Sequence, residues 1–308
     1  MDTNQLMDSL VSFKQDVPAE VGILAVRRAS VEDLQRRLRK LLKGGAEVCD
    51  KAFDRGQWTT YEDRTLVRLP QGAYAVVYHA SGALKLSAGL APMENLFKEP
   101  ESRAVLTQRA ESFVKDMGLH DSLGRDETLT FERLWQVKAA AADRSGKMSD
   151  AVLCRAVGAF RHHIQGIPVL GPASVAVQFA GDGALDSLSM LMRAPDGEVL
   201  ETAKLLHPER AARQMAQRVA ERLARTQGDV KVESRDGLRF GYLGLPKRKQ
   251  QRVLAPVYLA TFDVTHEQER QGFVIALAAT EKSYLPLDAP GDESLVLQAS
   301  KLSARRCC

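Results

Sequence analysis

The chain has little cysteine, no long apolar run and no strong excess of either charge, and each shortage removes a class of protein. Its four cysteines, Cys49, Cys154, Cys307 and Cys308, include no Cys-x-x-Cys pair and are too sparse in 308 residues for a disulfide framework. Cys49 and Cys154 read as small buried apolar groups, and the terminal Cys307 and Cys308 as part of a solvated tail. No stretch reaches the roughly 18 consecutive apolar residues of a membrane span. The opening MDTNQLMDSL has an early acid and no basic region followed by an apolar block, so no secretory signal is read there. A cytoplasmic protein without membrane partners is expected. Lys and Arg number 43 against 39 Asp and Glu, a net charge of +4. A non-specific nucleic-acid binder concentrates basic residues, so that class is disfavoured.

Catalytic motifs are missing too. Residues 144–147, RSGK, lack the glycines and spacing of a phosphate loop, and residues 266–270, HEQER, are not His-Glu-x-x-His. There is no Gly-x-Ser-x-Gly elbow and no Gly-x-Gly-x-x-Gly after a strand. Nucleotide hydrolysis, zinc proteolysis and dinucleotide redox chemistry drop out as leading readings, and neither a cofactor nor a metal is expected. An active site assembled from dispersed residues stays open, so the sequence does not decide whether the protein is an enzyme.

What is present is the composition of a globular protein, 44% hydrophobic and 27% charged, long enough for one large domain or two of ordinary size. Leu6, Leu10 and Phe13 mark a short amphipathic segment ending near Pro18. Ser30 is placed to cap a helix in which Val31, Leu34, Leu38, Leu41 and Leu42 share one face, with Gly44-Gly45 as its end. Its other side carries Arg36, Arg37, Arg39, Lys40 and Lys43, a solvated face or a docking surface for an acidic partner. From residue 64 the period becomes two. Tyr74, Val76 and Tyr78 point one way, and Ser81-Gly82 turns the chain before Leu84 and Leu86, which is a hairpin pattern.

A helix through Leu106, Ala110, Phe113, Val114 and Met117 closes at Gly118. Residues 127–142 read as extended, 141–151 as a loop and 152–166 as a strand. A second hairpin follows, with Val175, Val177 and Phe179 on one face and Asp182-Gly183 at the turn. Pro208 opens the clearest helix, striped by Met215, Val219 and Leu223 and stopped by Gly228. Further strands are expected at 230–243, 253–264 and 272–280, and a loose tail after Pro286.

Shifting the first hairpin by 101 residues overlays Ala75-Val76 on Ala176-Val177, Tyr78 on Phe179 and Gly82-Ala83-Leu84 on Gly183-Ala184-Leu185. The set Tyr74, Val76, Tyr78 then matches Val175, Val177, Phe179. The repeat predicts an α+β fold of two similar modules, each an antiparallel sheet packed on a helix, after an N-terminal helical segment. The expected divisions are 1–45 (N-terminal helical segment), 46–150 (first module), 151–285 (second module) and 286–308 (tail). A sheet with one covered face leaves the other open to a partner, and the junction of two modules is a natural cleft.

Phe160, Gly166-Ile167-Pro168-Val169, Val175-x-Val177-x-Phe179 and Gly183-x-Leu185 form a pattern that resembles PepSY-type modules and the propeptide modules of some secreted metalloproteases. The resemblance covers about thirty residues. It implies a curved antiparallel sheet wrapped on a helix and used to hold a peptide segment or another protein, and it carries no catalytic residues across. Such modules are usually exported or membrane-attached, which this sequence does not signal. The size, the doubled layout and the lack of a catalytic motif are also similar to accessory proteins of ribosomally made peptide natural products, such as those of the crocagin pathway.

Candidate functional residues centre on Arg161, His162 and His163. Neighbours on a strand point to opposite faces, so the two histidines are not placed to chelate one metal. If Phe160 is core, His162 shares its face, and Arg161 and His163 project from the other, able to bind a peptide carboxylate or move a proton. Trp135, Tyr78 and His79 are the other candidate ligand-binding residues, with His207 more remote. Three functions compete. The first is a peptide-binding, and in one version peptide-modifying, protein of a bacterial ribosomal natural-product pathway. The second is a non-catalytic interaction or inhibitor module holding a small protein. The third, nucleic-acid binding by the arginine-rich helices, is weakened by Glu32, Asp33, Glu209 and Glu221. A homo-oligomer is left open.

Overall fold

A computed structural model describes residues 3–11, 15–49, 55–69, 72–91, 93–99, 101–224, 230–266 and 269–287. In chain order the elements are α1 (Thr3–Val11), β1 (Glu20–Val26), α2 (Val31–Cys49), β2 (Gln57–Thr60), β3 (Arg64–Arg68), β4 (Tyr74–Tyr78) and β5 (Leu84–Ser87). Next come α3 (Arg103–Asp116), β6 (Glu127–Ala139), β7 (Val152–Ile164), β8 (Ile167–Leu170), β9 (Val175–Phe179), β10 (Leu185–Met190) and β11 (Pro195–Lys204). The last are α4 (Pro208–Leu223), β12 (Val230–Ser234), β13 (Arg239–Leu243), β14 (Val253–Leu254), β15 (Pro256–His266) and β16 (Glu269–Ala278). The fold is α+β and mostly sheet, and no helix among the described residues is long and apolar enough to cross a membrane.

The chain divides into two compact units, one of Val26–Asp196 with Gly244–Arg252, the other of Met1–Ala25, Gly197–Leu243 and Val253–Cys308. These are not the divisions expected from the sequence. A border at 45/46 would cut α2, which runs through Gly44-Gly45 to Cys49. Leu34, Leu38, Leu41 and Leu42 of that helix are buried in the core, and such packing outweighs the roughly 1 kcal/mol helix cost of each glycine. A border at 150/151 would separate β6 from β7, which pair from Glu127↔Ile164 to Ala139↔Val152. Residues 151–285 are shared between the units. Phe13, Gly228 and the tail from residue 288, with Cys307 and Cys308, lie outside the described residues.

In the larger unit, α2 precedes β2–β5 and α3 precedes β6–β10. The strands form one antiparallel sheet in the order β2-β3-β4-β5-β10-β9-β7-β6, with β8 paired to the end of β7. Both helices cover the same face, α2 over β4 and β10, α3 over β6, β7 and β9. Helix starts follow local chemistry. Ser30 Oγ accepts from Asp33 N at 3.1 Å and Ser102 Oγ from Val105 N at 3.3 Å.

Under the helices two rows of apolar side chains run across four strands. One is Val77, Leu84, Met190 and Val175; the other is Ala75, Leu86, Leu188 and Val177. Val76 and Tyr78 instead join Ala83 in a separate cluster. Alternation along β4 sets that cluster on the opposite face. Here the 101-residue overlay needs correcting: it matched Val76 and Tyr78 to Val177 and Phe179, which face the helices. The helix-facing residues are Ala75 and Val77 on β4 and Val175, Val177 and Phe179 on β9. A one-residue slip reverses every side chain of a strand, and identities among common residues do not reveal it.

In the smaller unit, β15 is central. It pairs with β12 and β13 along one edge and with β16 along the other, from Val257↔Ala278 to His266↔Glu269. Helices α1 and α4 pack against each other, and β1 lies between β11 and β14. Buried phenols there are satisfied, Tyr242 Oη donating to Gly22 O at 2.9 Å and Tyr258 Oη to Leu206 O at 2.7 Å.

Candidate functional site

On the helix side of the larger unit, where α2 and the end of α3 part, a cavity of about 630 Å³ opens over the first apolar row. Val77, Leu84 and Met190 form its floor, with Met117, Leu119 and Met192 beside them. One wall is basic, made of Arg27, Arg28, Arg37 and Lys40 from the segment before α2 and from its exposed face. Acidic lining residues are Asp116 and Asp121 at the end of α3 and Glu127 at the start of β6. A lining that combines apolar, basic and acidic side chains suits a ligand with an apolar part and charged groups.

Glu127 is held from behind. His162, fully buried, donates Nε2–H to Glu127 Oε2 at 2.8 Å, and its Nδ1 has no partner. The ring therefore sets the orientation of the carboxylate of a residue that lines the cavity. Elsewhere in the lining, His79 is fixed by two bonds of 3.0 Å. Its Nδ1 must carry the hydrogen because its partner is the Glu62 carbonyl, which leaves Nε2 to accept from Thr65 Oγ1.

Of the candidate ligand-binding residues Arg161, His163, Trp135, Tyr78 and His79, the structure brings only His79 to this cavity. Arg161 is 4% exposed rather than projecting into solvent. Its Nη1 donates to the carbonyls of Val169 at 2.8 Å and Pro172 at 2.9 Å, and Nη2 to Glu132 Oε2 at 2.7 Å. That guanidinium ties the β8–β9 connection to β6 and β7. His163 is half-buried beside it, 3.2 Å from the Arg161 carbonyl. Tyr78 is buried on the face away from the helices, under the Lys247 ammonium 4.9 Å from its ring. Trp135 is exposed on β6 with Arg133 stacked 5.0 Å from its ring, and His207 is exposed ahead of α4 in the smaller unit. Among the described residues no three His, Cys, Asp or Glu side chains gather into a metal site.

Sequence reasoning missed Glu127, Asp116, Asp121, Arg27, Arg28 and Arg193. No local pattern marks them, because the cavity is assembled from five separated stretches between residues 26 and 251. The one available signal was the basic face of α2, to which Arg37 and Lys40 belong.

Burial holds the His163 pKa below its ordinary value of 6.5, with the nearby Arg161 and His162 charges adding to the effect and the hydrogen bond to Arg161 O opposing it. A histidine harder to protonate in the folded than in the unfolded state contributes stability above the unfolded pKa, and that contribution is lost as pH falls through about 6.5. Urea unfolding midpoints should therefore drop between pH 7 and pH 5, and His163→Gln should shallow that drop. A profile identical to wild type would remove His163 from the balance.

No family model matches the chain, and no curated protein matches it. Among solved structures, an uncharacterized protein from Eubacterium rectale is similar in fold, with a TM-score of 0.54 at 11% sequence identity over 86% of each chain. At that identity the likeness speaks to the fold alone.

Proposed function

We propose that this is a peptide-binding protein and that the cavity between α2 and α3 receives a short peptide. The supporting observation is the make-up of the cavity lining. An apolar side chain fits the methionine-rich floor, a carboxylate is drawn to Arg27, Arg28, Arg37 and Lys40, and an amine to Asp116, Asp121 and Glu127. In a peptide-modifying version of this reading, the Glu127 carboxylate aligned by His162 is the group that exchanges a proton with the bound chain. On the same reading, α2 with β2–β5 and α3 with β6–β10 are two copies of one module joined at β5–β10. The mirrored strand order and the paired apolar rows support this. The similarity to accessory proteins of ribosomal peptide pathways favours a precursor peptide as ligand, and a short gene beside this one would supply its sequence.

The test is calorimetric titration with peptides of three to five residues carrying one large apolar side chain. Ala29 lines the cavity, and Ala29→Trp should fill it and weaken binding about tenfold or more. Absence of binding by any peptide at about 100 µM, or equal binding by the variant, would remove the proposal. A second reading, an interaction module for a protein partner, is favoured by the far half of the β6–β7 hairpin, where Trp135, Val137, Met148 and Val152 are all exposed. A partner whose capture survives Ala29→Trp but fails with Trp135→Ala supports that reading instead.

A further inference from the structure

Among its described residues the larger unit buries three arginines, and they are not treated alike. Arg155 meets Asp186 Oδ2 at 2.9 Å and Arg161 meets Glu132 Oε2 at 2.7 Å. Arg193, 2% exposed and lining the cavity, meets no carboxylate among the described residues. Its Nη2 donates to the carbonyls of Leu245, Pro246 and Lys249 at 3.0, 3.2 and 3.0 Å, and its Nε has no partner. Desolvation alone pulls its pKa down to about 10, the mark of a cation buried without a counter-charge. Arg27, Arg28 and Lys40 line the same cavity and have no carboxylate partner among the described residues either. The cavity's own carboxylates, Asp116, Asp121 and Glu127, form no ion pair with any of these four cations. A buried charge left unpaired is costly, and an incoming anion offsets that cost.

We propose that the Arg193 end of the cavity is an oxyanion site, occupied by a carboxylate of the ligand. The source of the carboxylate, the C-terminus of a bound peptide, rests on the peptide reading above; the site itself does not. Two measurements on the full chain separate them. The first is thermal unfolding in sodium phosphate against sodium chloride at matched ionic strength. The second is titration of N-acetyl-Leu-Met as the free acid and as the amide. Phosphate should raise Tm relative to chloride, and the acid should bind about tenfold more tightly than the amide. Both effects should vanish in Arg193→Gln. Because Arg193 also holds residues 245–249, the double variant Arg27→Gln/Arg28→Gln, which spares those contacts, must at least cut the acid preference to about threefold.

Acid and amide binding alike, with no phosphate effect, overturns the oxyanion site and leaves the peptide reading standing. A phosphate effect without binding of either peptide keeps the site and overturns the peptide reading. A phosphate effect unchanged in both variants is general surface binding, and it too overturns the proposal.

Discussion

Arg161→Ala should lower the unfolding free energy by about 3–5 kcal/mol, read from urea denaturation. The guanidinium is buried, and its removal orphans several acceptors at once. The carbonyls of Val169 and Pro172 lose their donor, and part-buried Glu132 loses its 2.7 Å guanidinium, with Arg133 3.7 Å from its other oxygen. Removing one partner of a buried pair costs far more than the pair contributes, because the survivor stays desolvated. Glu132→Gln keeps a hydrogen-bond acceptor for Nη2 and should cost less than Arg161→Ala. Were Arg161→Ala to unfold within about 1 kcal/mol of wild type yet lose peptide binding, Arg161 would be a ligand anchor and not a strut.

Gly158→Val should destabilise by about 3 kcal/mol or more, or prevent folding. Helix α3 crosses β7 at this residue, and a Cβ built on Gly158 would overlap Ala110 Cβ. Neither side has a flexible chain end to move, so the helix itself must lift away. The end of α3 carries Met117 and Leu119 into the cavity, so peptide binding should fall together with stability. The milder Gly158→Ala should be partly rescued by Ala110→Gly, which a double-mutant cycle detects as favourable coupling. Wild-type stability of Gly158→Val would mean that helix and strand do not approach this closely.

The helices were largely legible because their signals are local. Ser30 caps α2, Leu34 and Leu38 repeat at helical spacing, and Gly118 ends α3 with a φ of +61°. The hairpins were legible from their two-residue period and their turn glycines. Their faces were not. Val76 and Val77 are both valine and both buried, and only the sheet decides which one meets a helix. Along β7, strand alternation set Phe160 and His162 against Arg161 and His163. It carried no information about what covers the second face, so an arginine expected in solvent is enclosed by residues 169–172 and Glu132.

What the sequence determined by itself is much of the supply of parts: which segments make the main helices and the two hairpins, and which of them have an apolar side to hide, though not the end of α2 or the strands β1 and β11. These depend on neighbours a few bonds or one turn away. Tertiary structure alone decided that both hairpins share one sheet, that α2 and α3 cover the same face, and that Arg193 ends up buried without a carboxylate among the described residues while Arg155 and Arg161 each have one. Those outcomes arise from contacts between residues tens to hundreds of positions apart, where close packing and desolvation act and local spacing leaves no trace.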